Sequence, residues 1–478
     1  MTSAPMVDPL PDPEYLPRVT VAERRAHGLE LRARVPHERH ATWAPSPSRI
    51  DPIGVLERQA ESRMADLVPI RHGRMAASPF AFFRGGAAIM AADLAGTPTS
   101  GLRAQLCGDA HLLNFGMFET PERSLVFGLN DFDETLPGPI EWDVKRLAAS
   151  VEIAGRDLGF DAGERESTVL ATVKAYREAV LEFAEQRNIE VWHARLEAEE
   201  LRQRLAGMAD SRTHHAVKKS IEKALRHDHL TAFDKLIERD GDDVRFISDP
   251  PVLVPVEELL DGDQRGRYVG VITSFLEQYR ESLAPHLRSL VESYRFVHIA
   301  RKVVGVGSVG TRAWVVLFEG RDSGDPLLLQ LKEAQPSVLE PYAGASVYES
   351  QGRRVVEGQR FMQTASDSLL GWYRLDALDG HRHDFYVRQL WDGKSSIDVN
   401  KLTAAGLRAY GDSCGWTLAR GHARSGDRVA MAAFLGDDDA FERAIAAFAG
   451  TYADLNESDH ACLIEAIESG RLPAVAGV

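Results

Sequence analysis

The feature that most restricts this chain is a pair of short polar clusters set about one hairpin apart. They are Gly108-Asp109-Ala110-His111-Leu112-Leu113-Asn114-Phe115-Gly116 and Leu129-Asn130-Asp131-Phe132-Asp133-Glu134. The first follows an apolar run from Leu102 to Cys107, broken by Arg103 and Gln105, and between the two Leu125, Val126 and Phe127 form a strand-like block. The order reads as strand, catalytic loop, hairpin, metal-holding loop. Asp109 is placed to act as a base, Asn114, five residues on, as a metal ligand, and Asp131 as a second ligand. Phosphoryl transfer needs this set: one carboxylate near the acceptor hydroxyl, and a carboxylate plus an amide holding magnesium on the phosphates.

The flanking sequence gives these loops their supports. Pro137-Gly138-Pro139 forces a turn, and a helix is expected from near Glu141 to about Leu158. Asp143 falls in its first turn, where a carboxylate is favoured by the helix dipole and accepts backbone N–H bonds. Upstream, Ser78-Pro79 starts a largely apolar helix expected to reach Leu94. Arg71, Arg74 and Arg84 near such a core need anions, either structural carboxylates or substrate phosphates. Residues 1 to about 50, with Pro5, Pro9, Pro11, Pro13, Pro45 and Pro47, read as an extended arm. A helical pattern resumes from Asp51, through Val55, Leu56, Met64 and Leu67.

Helical, charge-rich sequence dominates from about 161 to 240. Within it, His214, His215, Lys218, Lys219, Lys223, Arg226, His227 and His229 read as a solvated helix face rather than a metal or nucleic-acid site. Residues 241–256 read as a loop or edge strand, and 263–293 as a helix. A second informative stretch follows. Phe296 to Val304 has strand composition and leads into Gly305-Val306-Gly307-Ser308-Val309-Gly310. A dinucleotide-binding fold needs a helix after such glycines. Here Ala313 to Phe318 is a strand, 321–326 a turn, and Leu327 to Lys332 another strand. That order is the phosphate-covering hairpin of kinases: glycines let backbone N–H groups approach phosphate oxygens, and Lys332 reaches the α- and β-phosphates.

The helix expected over about 346–362 should carry the carboxylate that fixes Lys332. Glu349 and Glu357, eight apart on one face, are both candidates. Leu369–Arg374 and Asp384–Trp391 read as paired strands, with Gln389, Leu390 and Trp391 where a hinge meets adenine. Residues 402–461 read as helical, and Leu418 to Asp427 ends a helix with a turn.

At 478 residues the chain can bury one large core and room remains for two or three. The charge balance, 56 − 71 = −15, argues against a duplex-tracking nucleic-acid protein but leaves room for a local basic pocket. Cys107, Cys414 and Cys462 are too few and scattered for a disulfide frame or structural zinc. No apolar run of about eighteen residues suggests a membrane span, and the N-terminus lacks a signal pattern; the cytoplasm is the expected compartment.

Taken together, the two stretches resemble the protein-kinase-like fold, in particular its aminoglycoside and choline kinase branch, whose loops read H-G-D-x-H-x-x-N and I-D-[WF]-[ED]. Asp109, His111 and Asn114 match the first motif, with Cys107 in place of the leading His, and Asp131, Phe132 and Asp133 match the second. Trp142-Asp143-Val144 is similar to the helix start whose Asp props the catalytic loop. In ordinary kinases the glycine loop comes first; here it follows by about two hundred residues, which implies a circular permutation. The implied architecture is α+β and two-lobed: an arm over 1–50, a large helical lobe over 51–295, a small β-rich nucleotide lobe over 296–395, and helices from 396 to 478 returning to the large lobe.

The chain also resembles an uncharacterised bacterial family, domain of unknown function 2252, over about residues 50 to 460. Arg74-Met75, Ser78-Pro79-Phe80, Cys107 to His111, Asn130 to Glu134, Lys332-Glu333-Ala334 and His422 to Asp427 carry that resemblance, which supplies no activity. The kinase resemblance implies ATP and Mg2+ as cofactors and a small-molecule hydroxyl as acceptor. It casts Asp109 as catalytic, with His111 ordering the loop. Asn114, Asp131 and Asp133 become metal ligands. Gly305, Gly307, Ser308, Gly310, Lys332 and Glu349 become nucleotide-binding residues. Neither nucleic acid nor membrane is an expected partner. Nucleotidyl transfer on the same fold, a nucleotide-binding regulator without turnover, and a hydrolase metal site are the competing expectations; the last leaves Lys332 unexplained.

Overall fold

The two apolar runs after the glycine loop lack polar alternation because both their faces are covered. In the computed structural model, which describes residues 19–208, 211–226, 229–240, 243–303, 305–376, 380–390 and 394–477, they are neighbours in a six-stranded antiparallel sheet. Its order is Gly371–Asp376, Arg382–Gln389, Pro326–Ala334, Ala313–Glu319, Arg295–Lys302 and Leu253–Pro255. Val316, Phe318, Leu327, Leu329 and Leu331 pack with Phe275 and Tyr279 of the helix Gly262–Ser282. Val315, Leu317 and Leu328 pack on the opposite face with Phe233 and Leu236 of the helix His229–Leu236. Each such fully buried side chain contributes roughly 1.5–3 kcal/mol.

The same period of two decides where the polar residues point. Lys332 shares the Leu328 face, away from the helix Gly262–Ser282, and the register sets Tyr386 opposite Lys332 and Arg388 opposite Gln330. One sheet face therefore presents four polar side chains together.

The rest of the chain is mainly helical, so the fold is mixed α+β with antiparallel sheets. Its largest core joins the helices Ile140–Asp157, Ala162–Glu185, Ala404–Ser425 and Ala440–Glu468. Every residue from Ile140 to Gly155 is buried. This central helix starts directly from the strand Leu136–Pro139, which pairs with Arg103–Leu106. The hairpin Phe115–Glu119 and Leu125–Leu129 stands between the two polar clusters. Some buried charges are matched by carboxylates: Arg49 meets Asp93 at 2.7 Å and Asp459 at 2.6 Å, and Arg177 meets Glu442 at 2.7 Å.

Several expectations need correction. The supposed arm contains the helix Val21–Arg34, started by a Thr20–Glu23 capping box. Gly28 lets it press against a neighbouring helix, Arg428–Leu435: a Cβ there would lie 2.2 Å from the Ala430 carbonyl oxygen. The segment after Ser78 is two helices, Pro79–Gly85 and Ala87–Ala95, broken at Gly86. Pro285 starts a new helix, Pro285–Glu292, inside the stretch expected to be continuous. The helix expected from 346 begins only at Gln351, where Ser350 caps it. The strand expected to reach Trp391 ends at Gln389, and Trp391 lies outside the described residues. In the basic run, Lys218 and Lys219 are exposed on the helix Ser211–Arg226, while His227 and several neighbouring side chains are likewise outside them. No helix of the described residues is long and apolar enough to cross a membrane.

Candidate functional site

The first polar cluster is shaped from below by the central helix. Asp143, in its first turn, accepts the N–H of Cys107 at 2.7 Å and of Gly108 at 3.0 Å. His422 Nε2 lies 3.3 Å from the same carboxylate, and its Nδ1 is 2.9 Å from the Tyr176 hydroxyl. Gly108 has φ +82°, and a Cβ there would lie 2.2 Å from the Glu134 carbonyl oxygen, so only glycine lets the two polar loops touch here. Asn114 sews them together: its Nδ2 donates to the Asp109 and Asp131 carbonyls, and its Oδ1 accepts the Asp131 N–H at 2.7 Å. The predicted metal ligand is thus engaged at both ends of its amide, as a clamp.

Asp109 borders a cavity of about 640 Å3. Its Oδ1 is held by Arg146, whose Nε is 2.9 Å and Nη2 2.8 Å away, while Oδ2 has only His111 Nε2, at 3.9 Å. Arg146 is itself fixed by the Phe83 carbonyl and stacks on the Phe83 ring at 3.8 Å. Burial lowers the His111 pKa to about 4, with Asp109 opposing and Arg84 adding to the shift. Burial thus favours the neutral imidazole at pH 7.

Lys332 arrives from the other end of the sequence. Its Nζ lies 3.3 and 3.2 Å from the two Asp131 carboxylate oxygens and 2.7 Å from Asp133 Oδ2. The Tyr386 hydroxyl donates to Asp133 Oδ1 at 2.6 Å, and Arg388 reaches the Asn130 carbonyl at 3.0 Å. Burial pushes the Asp131 carboxyl up, but Lys332 and Arg388 outweigh it and hold it well below the usual carboxylate range. Asp133 is raised, by burial first and by the Asp131 charge second. Burial opposes the Lys332 charge, yet the two carboxylates hold its pKa above the ordinary value. One ammonium between two carboxylates is a balance of charge, and a divalent cation or a phosphate shifts it.

Neither glutamate expected to fix Lys332 does so. Glu349 precedes the helix Gln351–Met362, is 93% accessible and pairs with Arg374 at 3.1 Å; Glu357 pairs with Arg360. The helix instead turns Arg354 toward the site. Its guanidinium donates to the Thr135, Asp133 and Gln335 carbonyls at 2.7–2.8 Å. It supports the acidic loop through backbone carbonyls, and Lys332 takes its counter-charge from Asp131 and Asp133.

The glycine loop closes over this contact. Gly305 and Gly310 have φ of +67° and +94°, and Ser308 Oγ donates to Asp133 at 3.3 Å. Gly305, Gly307 and Ser308 line the larger cavity together with Asp109, Asn114, Asp131 and Asp133. A smaller cavity of about 250 Å3 lies beside it, lined by Lys332, Gln330, Arg388, Gln389 and Leu390 as well as Gly305, Ser308 and Asp131. Among the described residues no group of three or more His, Cys, Asp or Glu is arranged to hold a metal ion.

Sequence reasoning missed Arg146, Arg354, Tyr386 and Arg388. The last two were recoverable, since the strand Arg382–Gln389 must show alternate residues to one face. The first two sit on helices and carry no local signal.

Residues 63–466 match a family described as an uncharacterized protein conserved in bacteria, DUF2252, and the chain belongs to it. No curated protein matches the chain, and no solved structure does.

Proposed function

We propose that this protein is an ATP- and Mg2+-dependent phosphotransferase with a circularly permuted, protein-kinase-like architecture, acting on a hydroxyl group of a small molecule. The observation that carries the reading is the contact of Lys332 with Asp131 and Asp133, 201 and 199 residues away. A kinase needs a phosphate-binding lysine facing a metal-binding aspartate beneath a glycine loop. On this reading the smaller cavity takes the nucleotide, with the base toward Gln389 and Leu390 and the phosphates under Gly305–Gly310. Asp109 orients the acceptor hydroxyl in the larger cavity. The acceptor oxygen forms a bond to the γ-phosphorus, the bond from that phosphorus to ADP breaks, and the hydroxyl proton passes to Asp109.

Asp131 and Asp133 fit magnesium as oxygen donors whose mutual repulsion a divalent cation relieves. Mg2+ commonly uses one or two carboxylates, with phosphates and water filling the rest. When bound it would neutralise charge on the phosphates. Lys332, which contacts both carboxylates, would be the residue that meets the α- and β-phosphates.

A regulator that binds nucleotide without turnover is the second reading. It is favoured by Cys107 where the resembling kinases carry His. Thermal unfolding with ATP, with and without Mg2+, separates the cases. At 100 times Kd a ligand adds about 2.7 kcal/mol, or about 3 °C for a chain of this length. The phosphotransferase should show that rise only with the metal, and should release ADP when given a small-molecule extract. Asp109→Ala should keep the rise and lose about 100-fold or more of the turnover. Absence of any nucleotide-dependent shift sinks the reading; a shift without turnover selects the regulator.

A further inference from the structure

Three arginines from the segment preceding the first polar cluster line the larger cavity without an ion pair to any carboxylate of the described residues. Arg71 is 1% accessible. One of its Nη atoms donates to Gln59 Oε1 at 2.9 Å and the Gly85 carbonyl at 3.0 Å, while its Nε and other Nη have no partner. Arg84, at the end of the helix Pro79–Gly85, also has an unpartnered, buried Nε. Arg63 gives one bond to the Val309 carbonyl, and its Nε is unpartnered. Carboxylates act on them only from beyond ion-pair distance: Glu134, Glu333 and Asp133 on Arg63, and Asp109 on Arg84. Other buried arginines are satisfied through carboxylates, as Arg49 and Arg177 are, or through several neutral oxygens, as Arg354 and Arg420 are; Arg71, by contrast, keeps two nitrogens unpartnered.

Buried guanidiniums left without counter-charge are costly, and an arginine does not shed its proton to escape that cost. Their position says which anion they suit. All three line the 640 Å3 cavity beside Asp109, and none lines the smaller cavity that holds Lys332. Lys332 is the cation of the proposed nucleotide side; Arg71 and Arg84 share the cavity of Asp109, where an acceptor would meet it, and Arg63 is tied to the glycine loop bordering both cavities through the Val309 carbonyl. Guanidinium forks match phosphate and carboxylate oxygens in pairs.

We propose that Arg63, Arg71 and Arg84 form a receptor for an oxyanion group carried by the acceptor, so that the substrate is a phosphorylated or carboxylated small molecule bearing a free hydroxyl. The word acceptor rests on the phosphotransferase reading; the anion receptor does not. The same guanidiniums would also suit the terminal phosphate of the nucleotide, and the experiment separates the two sources.

Calorimetric titration of the full chain with inorganic phosphate, MgADP and MgATP is the test, on wild type, Arg84→Gln and Arg63→Gln. Arg84 makes no hydrogen bond through its Nε, so Arg84→Gln should melt at or above the wild-type temperature. Loss of a charge-assisted hydrogen bond predicts phosphate binding weakened about tenfold or more. MgADP and MgATP should bind both variants as they bind wild type. Two results overturn the proposal: wild type that ignores phosphate, or phosphate binding indifferent to both substitutions. A loss of MgATP affinity with MgADP affinity retained overturns it too, by assigning the arginines to the nucleotide. If MgADP and MgATP fail to bind wild type while phosphate binds through Arg84, the phosphotransferase reading falls and the receptor stands.

Discussion

Lys332→Met isolates the charge balance at the centre of the site. The side chain is 2% accessible and of similar length to methionine, so the substitution removes the ammonium with little change of shape. Removing one partner of a buried ion pair costs about 3–5 kcal/mol. Asp131 and Asp133 border a cavity, at 40% and 26% accessibility, so water screens part of the loss and about 3 kcal/mol applies. Unfolding entropy near 2.1 cal/mol/K per residue gives roughly 1 kcal/mol/K for a chain of 478 residues. The expected drop in Tm at pH 8 is therefore about 3 °C.

The pH dependence gives that prediction its edge. Without Lys332, Asp131 and Asp133 are two like charges in one site, and their shared carboxyl pKa in the folded state rises above the unfolded value. The native variant then binds protons more readily than its unfolded chain, so its stability rises as pH falls through that folded pKa. Differential scanning fluorimetry at pH 8 and pH 5 should show the deficit against wild type shrinking at the lower pH. Adding Asp133→Asn should recover most of the loss at pH 8, since the repulsion goes with the charge. A Lys332→Met protein within 1 °C of wild type at pH 8, or with the same deficit at both pH values, refutes the argument.

Asp143→Ala leaves the Cys107 and Gly108 N–H groups without their acceptor; at about 1–3 kcal/mol for each buried donor, Tm should fall by several degrees. An unchanged melting curve would mean the first polar loop is held by something else. His111 tests the acid side. Its folded pKa of about 4 lies below an unfolded value near 6.5. The unfolded chain therefore takes up the proton first, and stability drains away from pH 6.5 down to about 4, by about 3 kcal/mol in all. Urea midpoints at pH 7 and pH 4.5 should converge in His111→Gln relative to wild type; an equal pH slope in the two proteins excludes His111 as a source of the acid sensitivity.

What the sequence by itself determined was local. Short apolar runs over 313–318 and 327–332, bounded by turn residues, dictated strands, and Pro139 marked where the central helix starts, although Pro137-Gly138-Pro139, expected as a turn, lies in a paired strand. A carboxylate at Asp143 dictated a cap on the preceding loop. These depend on sterics and hydrogen bonds among residues a few positions apart. Tertiary structure alone decided the rest. Glu349 and Glu357 have the right spacing to reach Lys332, but the helix starts at Gln351 and turns Arg354 inward instead. Asn114 has the residue type of a ligand, but that its amide also joins the two polar loops, accepting the Asp131 N–H, emerges only from the packed loops. Arg71 and Arg84 looked alike as cations near a core; only the packed segment revealed that no carboxylate meets them. Such pairings join residues tens to hundreds of positions apart. They are set by how finished elements dock against one another, which no short window of sequence contains.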